Sequence, residues 1–255
     1  MKTINLIVPR GWHELDDSKL RYLFGLLADD YTSAEIRTLC LLRWSGLKVI
    51  YRHNSDFVVR LGSEEFTLSA TQVADAIETL KWLDEIPPFP VRISRIGKCT
   101  ALPSDLQSVP FEKFIYCDNL YQGYLHTKND SLIDEMAKVL YSSPHSTLTS
   151  KLHLSSAERI NVFYWFASLK QYFAKTFHHF FQQTDSTDGN LLGSAKSIGE
   201  QVTEAMNAQI RALTKGDITK EKEVLAMDCW RALTELDAQA KEYQELRAKS
   251  KEWRV

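Results

Sequence analysis

Residues 206–246, MNAQIRALTKGDITKEKEVLAMDCWRALTELDAQAKEYQEL, read as one helix, a tight break at Lys215-Gly216-Asp217, and a second helix whose two faces differ. Thr219 is placed to cap that second helix, and Glu221 and Glu223 fall in its first turns, where carboxylates meet the positive end of the helix dipole. Val224, Leu225, Cys229, Leu233, Leu236, Ala240 and Tyr243 recur at helical spacing as an apolar stripe. Lys222, Asp228, Arg231, Glu235, Gln239 and Glu242 line much of the rest. Burying five such side chains is worth ~7–15 kcal/mol before entropy costs, so the stripe must be covered. Two coverings are open. The hairpin closes its own domain, or it docks on a partner through Leu225, Trp230, Leu233, Leu236 and Tyr243, with Trp230 as the aromatic anchor.

Upstream of this hairpin, residues 182–199 (QQTDSTDGNLLGSAKSIG) are small, polar and glycine-containing, and read as a linker. Residues 110–181 read as an aromatic-rich helical region. It holds a stretch over 111–126, an amphipathic helix over 129–141, a polar loop over 142–153, and a helix opened by Ser155 with Glu158. Tyr164-Trp165-Phe166 sets large rings on adjacent faces of that last helix, which marks it as central in a bundle or covered by another chain.

Residues 1–109 mix element types. Residues 3–8 (TINLIV) alternate as a strand would, and Asp16 or Asp17 caps a helix through Leu20, Leu23, Phe24 and Leu27. Thr32 with Glu35 is a capping box, and its helix stops at Gly46. Strands are expected over 47–52, 56–61 and 65–68, with a turn at His53-Asn54-Ser55. Ser69 with Gln72 is a second capping box, opening a helix that Pro87, Pro88 and Pro90 close. Residues 91–96 (VRISRI) read as a short strand. The expected fold class is α+β and predominantly helical, a small mixed α/β N-terminal part followed by an all-helical C-terminal part. Its divisions are 1–109, 110–181, the 182–199 linker, and the 200–255 hairpin.

The chain has 255 residues, 44% hydrophobic and 25% charged, a globular composition. Its net charge of −2 gives no overall basic field toward nucleic acid or anionic membrane. Cys40, Cys99, Cys117 and Cys229 lie far apart without a C-x-x-C pair, and are read as reduced, structural thiols. No window is apolar enough to span a membrane and the N-terminus is too short in apolar run for a signal peptide, so a cytoplasmic location is expected.

Chemistry has few footholds. His178 and His179 are adjacent on a helix and point about 100 degrees apart, unlike the i, i+4 pair that shares an ion; a helix C-terminus is the plainer account. No nucleophile elbow, phosphate loop, dinucleotide fingerprint or H-E-x-x-H helix is present. Asp16-Asp17 and Glu64-Glu65 are explained by a helix start and a hairpin turn. The reading is therefore no catalytic residues, no metal and no cofactor. Tyr116, Tyr121, Tyr124 and Tyr141 would make a base-stacking platform, with Arg92, Arg95 and Lys98 on one strand as its cations, but the neighbouring charges are mixed and core packing is preferred.

VPRGWHEL with the leucine-rich helix after it (to Leu27), PPFPVRISRIG (Pro87 to Gly97), VPFEKFIYCDNLYQGYL (Val109 to Leu125) and ALTKGDITKEKEVLAMDCWRALTELDAQAKEY (Ala212 to Tyr243) together span nearly the whole chain. In these segments it resembles a family of proteins encoded in tail-gene clusters of temperate phages and prophages of gut bacteria. The resemblance implies a non-enzymatic morphogenesis protein of the host cytoplasm, a tail assembly chaperone or scaffolding factor that handles tail tube or tape-measure subunits. It supplies no functional residues. The expectation is a protein partner or self-association through helical surfaces. A nucleic-acid-binding accessory protein and a structural virion component are the alternatives.

Overall fold

A computed structural model of the chain describes residues 6–142, 152–181 and 210–252. The described residues form two compact units. One takes those of Met1–Pro87, Val91–Ile93 and Leu154–Tyr164; the other takes those of Pro88–Pro90, Ser94–His153 and Trp165–Val255. The chain passes from one unit to the other after Pro87, Pro90, Ile93 and His153, and once more between Tyr164 and Trp165, inside one helix.

In the first unit, α1 (Asp17–Ala28) begins where the Asp16 carboxylate accepts the Lys19 N–H at 2.8 Å. The Thr32 box opens α2 (Ser33–Ser45), and Gly46 ends it at φ 75, a left-handed conformation that glycine takes without strain. Three strands follow as an antiparallel meander: β1 (Lys48–His53), β2 (Asp56–Leu61) and β3 (Glu64–Leu68). The first turn puts Asn54 at φ 55. The Ser69–Gln72 box then starts α3 (Ala70–Glu78). Leu20, Leu23, Phe24, Ile36, Cys40, Leu41, Val59 and Leu80 are buried. Residues 6–9 carry no strand, so the visible part of TINLIV is irregular, and residues 1–5 lie outside the described residues.

The second unit holds another three-stranded antiparallel sheet of β4 (Arg95–Ile96), β5 (Cys99–Ala101) and β6 (Tyr141–Ser142). The expectation of an all-helical C-terminal part is therefore corrected by β6. It directly follows α5 (Asp130–Leu140), where the Leu140 carbonyl accepts the Leu102 N–H at 2.8 Å. The expected strand over 91–96 shrinks to Arg95–Ile96, because the Ile93 N–H is bound by the Asn161 side chain at 2.8 Å instead of a ladder partner. Between β5 and α5, α4 (Phe111–Thr127) supplies Phe111, Phe114, Ile115, Cys117 and Tyr121 to the interior. Helix α6 (Ser156–Thr176) gives residues to both units, and Val162, Trp165, Phe166, Leu169 and Phe173 on it are fully buried.

The closing segment is two helices, α7 (Glu221–Ala226) and α8 (Cys229–Glu252), where the sequence pattern reads as one. The break has a long-range cause. The Phe111 N–H donates to the Met227 carbonyl and the Cys229 N–H donates to the Val109 carbonyl, both at 2.8 Å, so Met227 turns extended. Asp228 then accepts the Arg231 N–H and caps α8. Thr219 does not cap α7, whose N-cap is Lys220 without a side-chain bond; it lies in a 3-10 turn (Ile218–Lys220) ahead of which Asp217 accepts both its N–H and its hydroxyl, and these bonds lower the Asp217 pKa. The 182–199 linker, most of the 142–153 loop and residues 206–209 lie outside the described residues.

Candidate binding surfaces

The five residues proposed for partner binding separate once the second unit is folded. Leu233 and Leu236 are in its core. Trp230 is half-buried: its indole N–H donates to the Asp105 carbonyl at 2.7 Å, and its ring lies 5.5 Å from Phe177 and 5.9 Å from Phe173. Leu225 is half-buried, and only Tyr243 stands exposed. Leu233 and Leu236 are thus covered by their own unit, and Trp230 in part. The motif carries no signal that distinguishes the two coverings, because an interior seam and an interface seam have the same period.

The tyrosines of the stacking platform also separate: Tyr116 is exposed and Tyr124 half-buried. Tyr121 and Tyr141 are buried, with Tyr121 against Phe166 at 5.3 Å and Tyr141 edge-on to Trp165 at 5.7 Å. Burial, with the Asp118 charge beside it, raises the Tyr121 hydroxyl above its usual range. Arg92 falls in the first unit, while Arg95 and Lys98 belong to the second.

His178 and His179 open a helical turn after the bend at Phe177, so they do not end α6 as the dipole argument requires. Their rings lie 3.9 Å apart, and His179 Nδ1 is 3.0 Å from the Gln244 amide oxygen. Among the described residues no three His, Cys, Asp or Glu side chains converge as a metal site. All four cysteines are free and buried. Burial pushes the Cys40 and Cys117 thiols up to about 12 and Cys229 higher still, so they are poor nucleophiles at neutral pH.

The first unit leaves two surfaces open. A groove of about 820 Å³ runs between the Leu6–Arg10 segment, β3 and α3. Leu41, Phe66, Leu68 and Ala76 give it an apolar side, and Arg10, Glu14, Gln72, Asp75 and Thr79 a polar one. Its polar groups are mostly occupied by local backbone. Glu14 accepts the Arg10 N–H at 3.0 Å, Gln72 accepts the Ser69 N–H, and the Thr79 hydroxyl donates to the Ala76 carbonyl. Such a lining can receive a segment that mixes apolar and polar side chains. The opposite border of the sheet is β1, every residue of which is exposed, including Val49, Ile50 and Tyr51. Neither surface is visible in the sequence, where 47–52 reads as an ordinary strand.

A third feature sits inside the same unit. Trp12, Trp44 and Trp82 cluster with ring centroids 5.5 and 6.4 Å apart, and their buried indole N–H groups meet no acceptor. No family model, curated protein or solved structure matches the chain.

Proposed function

We propose that this protein is a non-catalytic binding factor that holds another protein through the surface of its first unit. The observation that carries this reading is the edge strand β1, whose Val49, Ile50 and Tyr51 are 49%, 41% and 57% exposed. Exposed apolar residues scattered singly are ordinary, but three in succession on an open sheet border form a template for another chain. The groove along β3, lined by both apolar and polar side chains, supports the same reading from the other border of the sheet. The resemblance to phage tail-cluster proteins gives the reading its biological form, a tail assembly chaperone or scaffolding factor acting on tube or tape-measure subunits.

The test is affinity purification of the full-length chain from cells that make its natural partners, as wild type and as Tyr51→Asp. The reading expects a second polypeptide in stoichiometric amount with the wild type and a marked loss with the variant. Recovery of the chain alone in both cases overturns it.

A further inference from the structure

The open border of β1 also has a charge signature that selects what can lie along it. Lys48 and Arg52 bracket the three exposed apolar residues, and β1 carries no carboxylate. Arg52 turns back on its own hairpin, with Nε donating to the Asn54 carbonyl at 2.9 Å and the guanidinium carbon 5.8 Å from the Phe57 ring centroid. Neither contact neutralises it. Lys48 stands opposite Arg60, and Arg60 already has Glu65 as its partner at 2.9 Å. Two cations therefore flank an apolar stretch with no counter-charge from their own sheet.

The inner layer of the sheet is also incomplete at this border. Val49, Val59 and Phe66 lie opposite one another across the three strands. Val59 is only 1% exposed, whereas Val49 is 49% exposed. The register shifts between Val49 and Tyr51, which leaves Ile50 as the extra residue of a bulge. A further strand would cover Val49 and extend the row.

We propose that the β1 border docks an extended segment of a partner protein in which carboxylates bracket apolar residues, adding a strand to the sheet. The inference rests on the protein-binding reading above and specifies the chemistry of the bound segment. A second copy of this chain does not fit the border. Self-pairing would bring the Lys48 and Arg52 cations of two copies onto one border, which carries no carboxylate to oppose them. Ladder hydrogen bonds would supply attachment, and the charges would choose the partner.

The experiment uses the full chain with two fluorescein-labelled peptides, Thr-Glu-Val-Thr-Val-Glu-Thr and its twin with lysine in place of each glutamate, followed by fluorescence anisotropy. The expected result is binding of the acidic peptide about tenfold tighter than its twin, with the difference shrinking in high salt. In the double variant Lys48→Glu, Arg52→Glu the preference should reverse; both side chains are exposed, so the fold is retained. Equal binding of the two peptides, no binding of either, or a preference that persists in the double variant overturns the inference. A wild-type dimer that Ile50→Asp dissolves would assign the border to a second copy, and overturns it as well. Stoichiometric capture of a natural partner despite any of these outcomes leaves the binding-factor reading standing and removes only the acidic-strand chemistry.

Discussion

Trp230 and Trp165 act as a pair on a single piece of backbone. Their indole N–H groups donate to the neighbouring carbonyls of Asp105 and Ser104, each at 2.7 Å. The loop they grip holds Leu106 and Ser108 at φ 57, a left-handed conformation rare for non-glycine residues, and Leu106 is fully buried. Trp230→Ala removes a large ring and leaves a carbonyl without its donor, so a loss of about 3–5 kcal/mol is expected in urea unfolding. The thiols give a second test. Cys40, Cys117 and Cys229 are held protonated well above neutral pH, so a thiol reagent at pH 8 should modify native protein slowly and release all four cysteines only in denaturant. Glu158 gives a third. Burial acts to raise its pKa, but hydrogen bonds from the Ser155 backbone and hydroxyl, and the Arg21 guanidinium at 3.0 Å, bring it below the usual carboxylate range. A depressed folded pKa means that this stabilisation is full above the unfolded value of about 4.3 and fades as pH falls through the folded one. The melting temperature of Glu158→Gln should therefore fall less between pH 5 and pH 3 than that of the wild type.

Caps and turns were the elements most readable from sequence, because each is decided by residues three or four apart. The Thr32–Glu35, Ser69–Gln72 and Ser155–Glu158 boxes all form with reciprocal bonds, and Gly46 ends α2 as its left-handed preference dictates. Thr32→Ala and Ser69→Ala should each cost about 1 kcal/mol, measured by urea unfolding against the wild type. Elements shaped by distant chain were not readable. The interruption at Met227–Asp228 exists because Val109 and Phe111 claim its backbone groups, and nothing within residues 219–246 announces that. The alternation of TINLIV and the β-branched run in VRISRI are strand-like, yet a strand needs a neighbour. Most of VRISRI has none, and Asn161 takes the Ile93 N–H. Strand β6 arises at the end of an amphipathic helix because β5 lies there to receive it.

The chain as a whole is the predominantly helical α+β protein its composition and periodicity indicate, and no described helix is long and apolar enough to cross a membrane. What periodicity cannot assign is who covers an apolar stripe. The seam of α7 and α8, the most conspicuous in the sequence, is occupied by Phe173, Phe177 and the rest of its own unit. Three consecutive uncovered apolar residues, Val49, Ile50 and Tyr51, lie instead on a six-residue strand that reads as unexceptional. The two units also differ in how their tryptophans are solvated by protein. Trp12, Trp44 and Trp82 have buried indole donors with no acceptor, whereas Trp165 and Trp230 bond to carbonyls. An indole bonded to an acceptor relaxes in its excited state and emits at longer wavelength than one in a dry setting. The described tryptophans thus form two native dyes. Exciting at the red edge of the absorption band during a denaturant titration should favour the carbonyl-bonded pair, so unequal loss of the blue and red parts of the emission would reveal which unit melts first without any label.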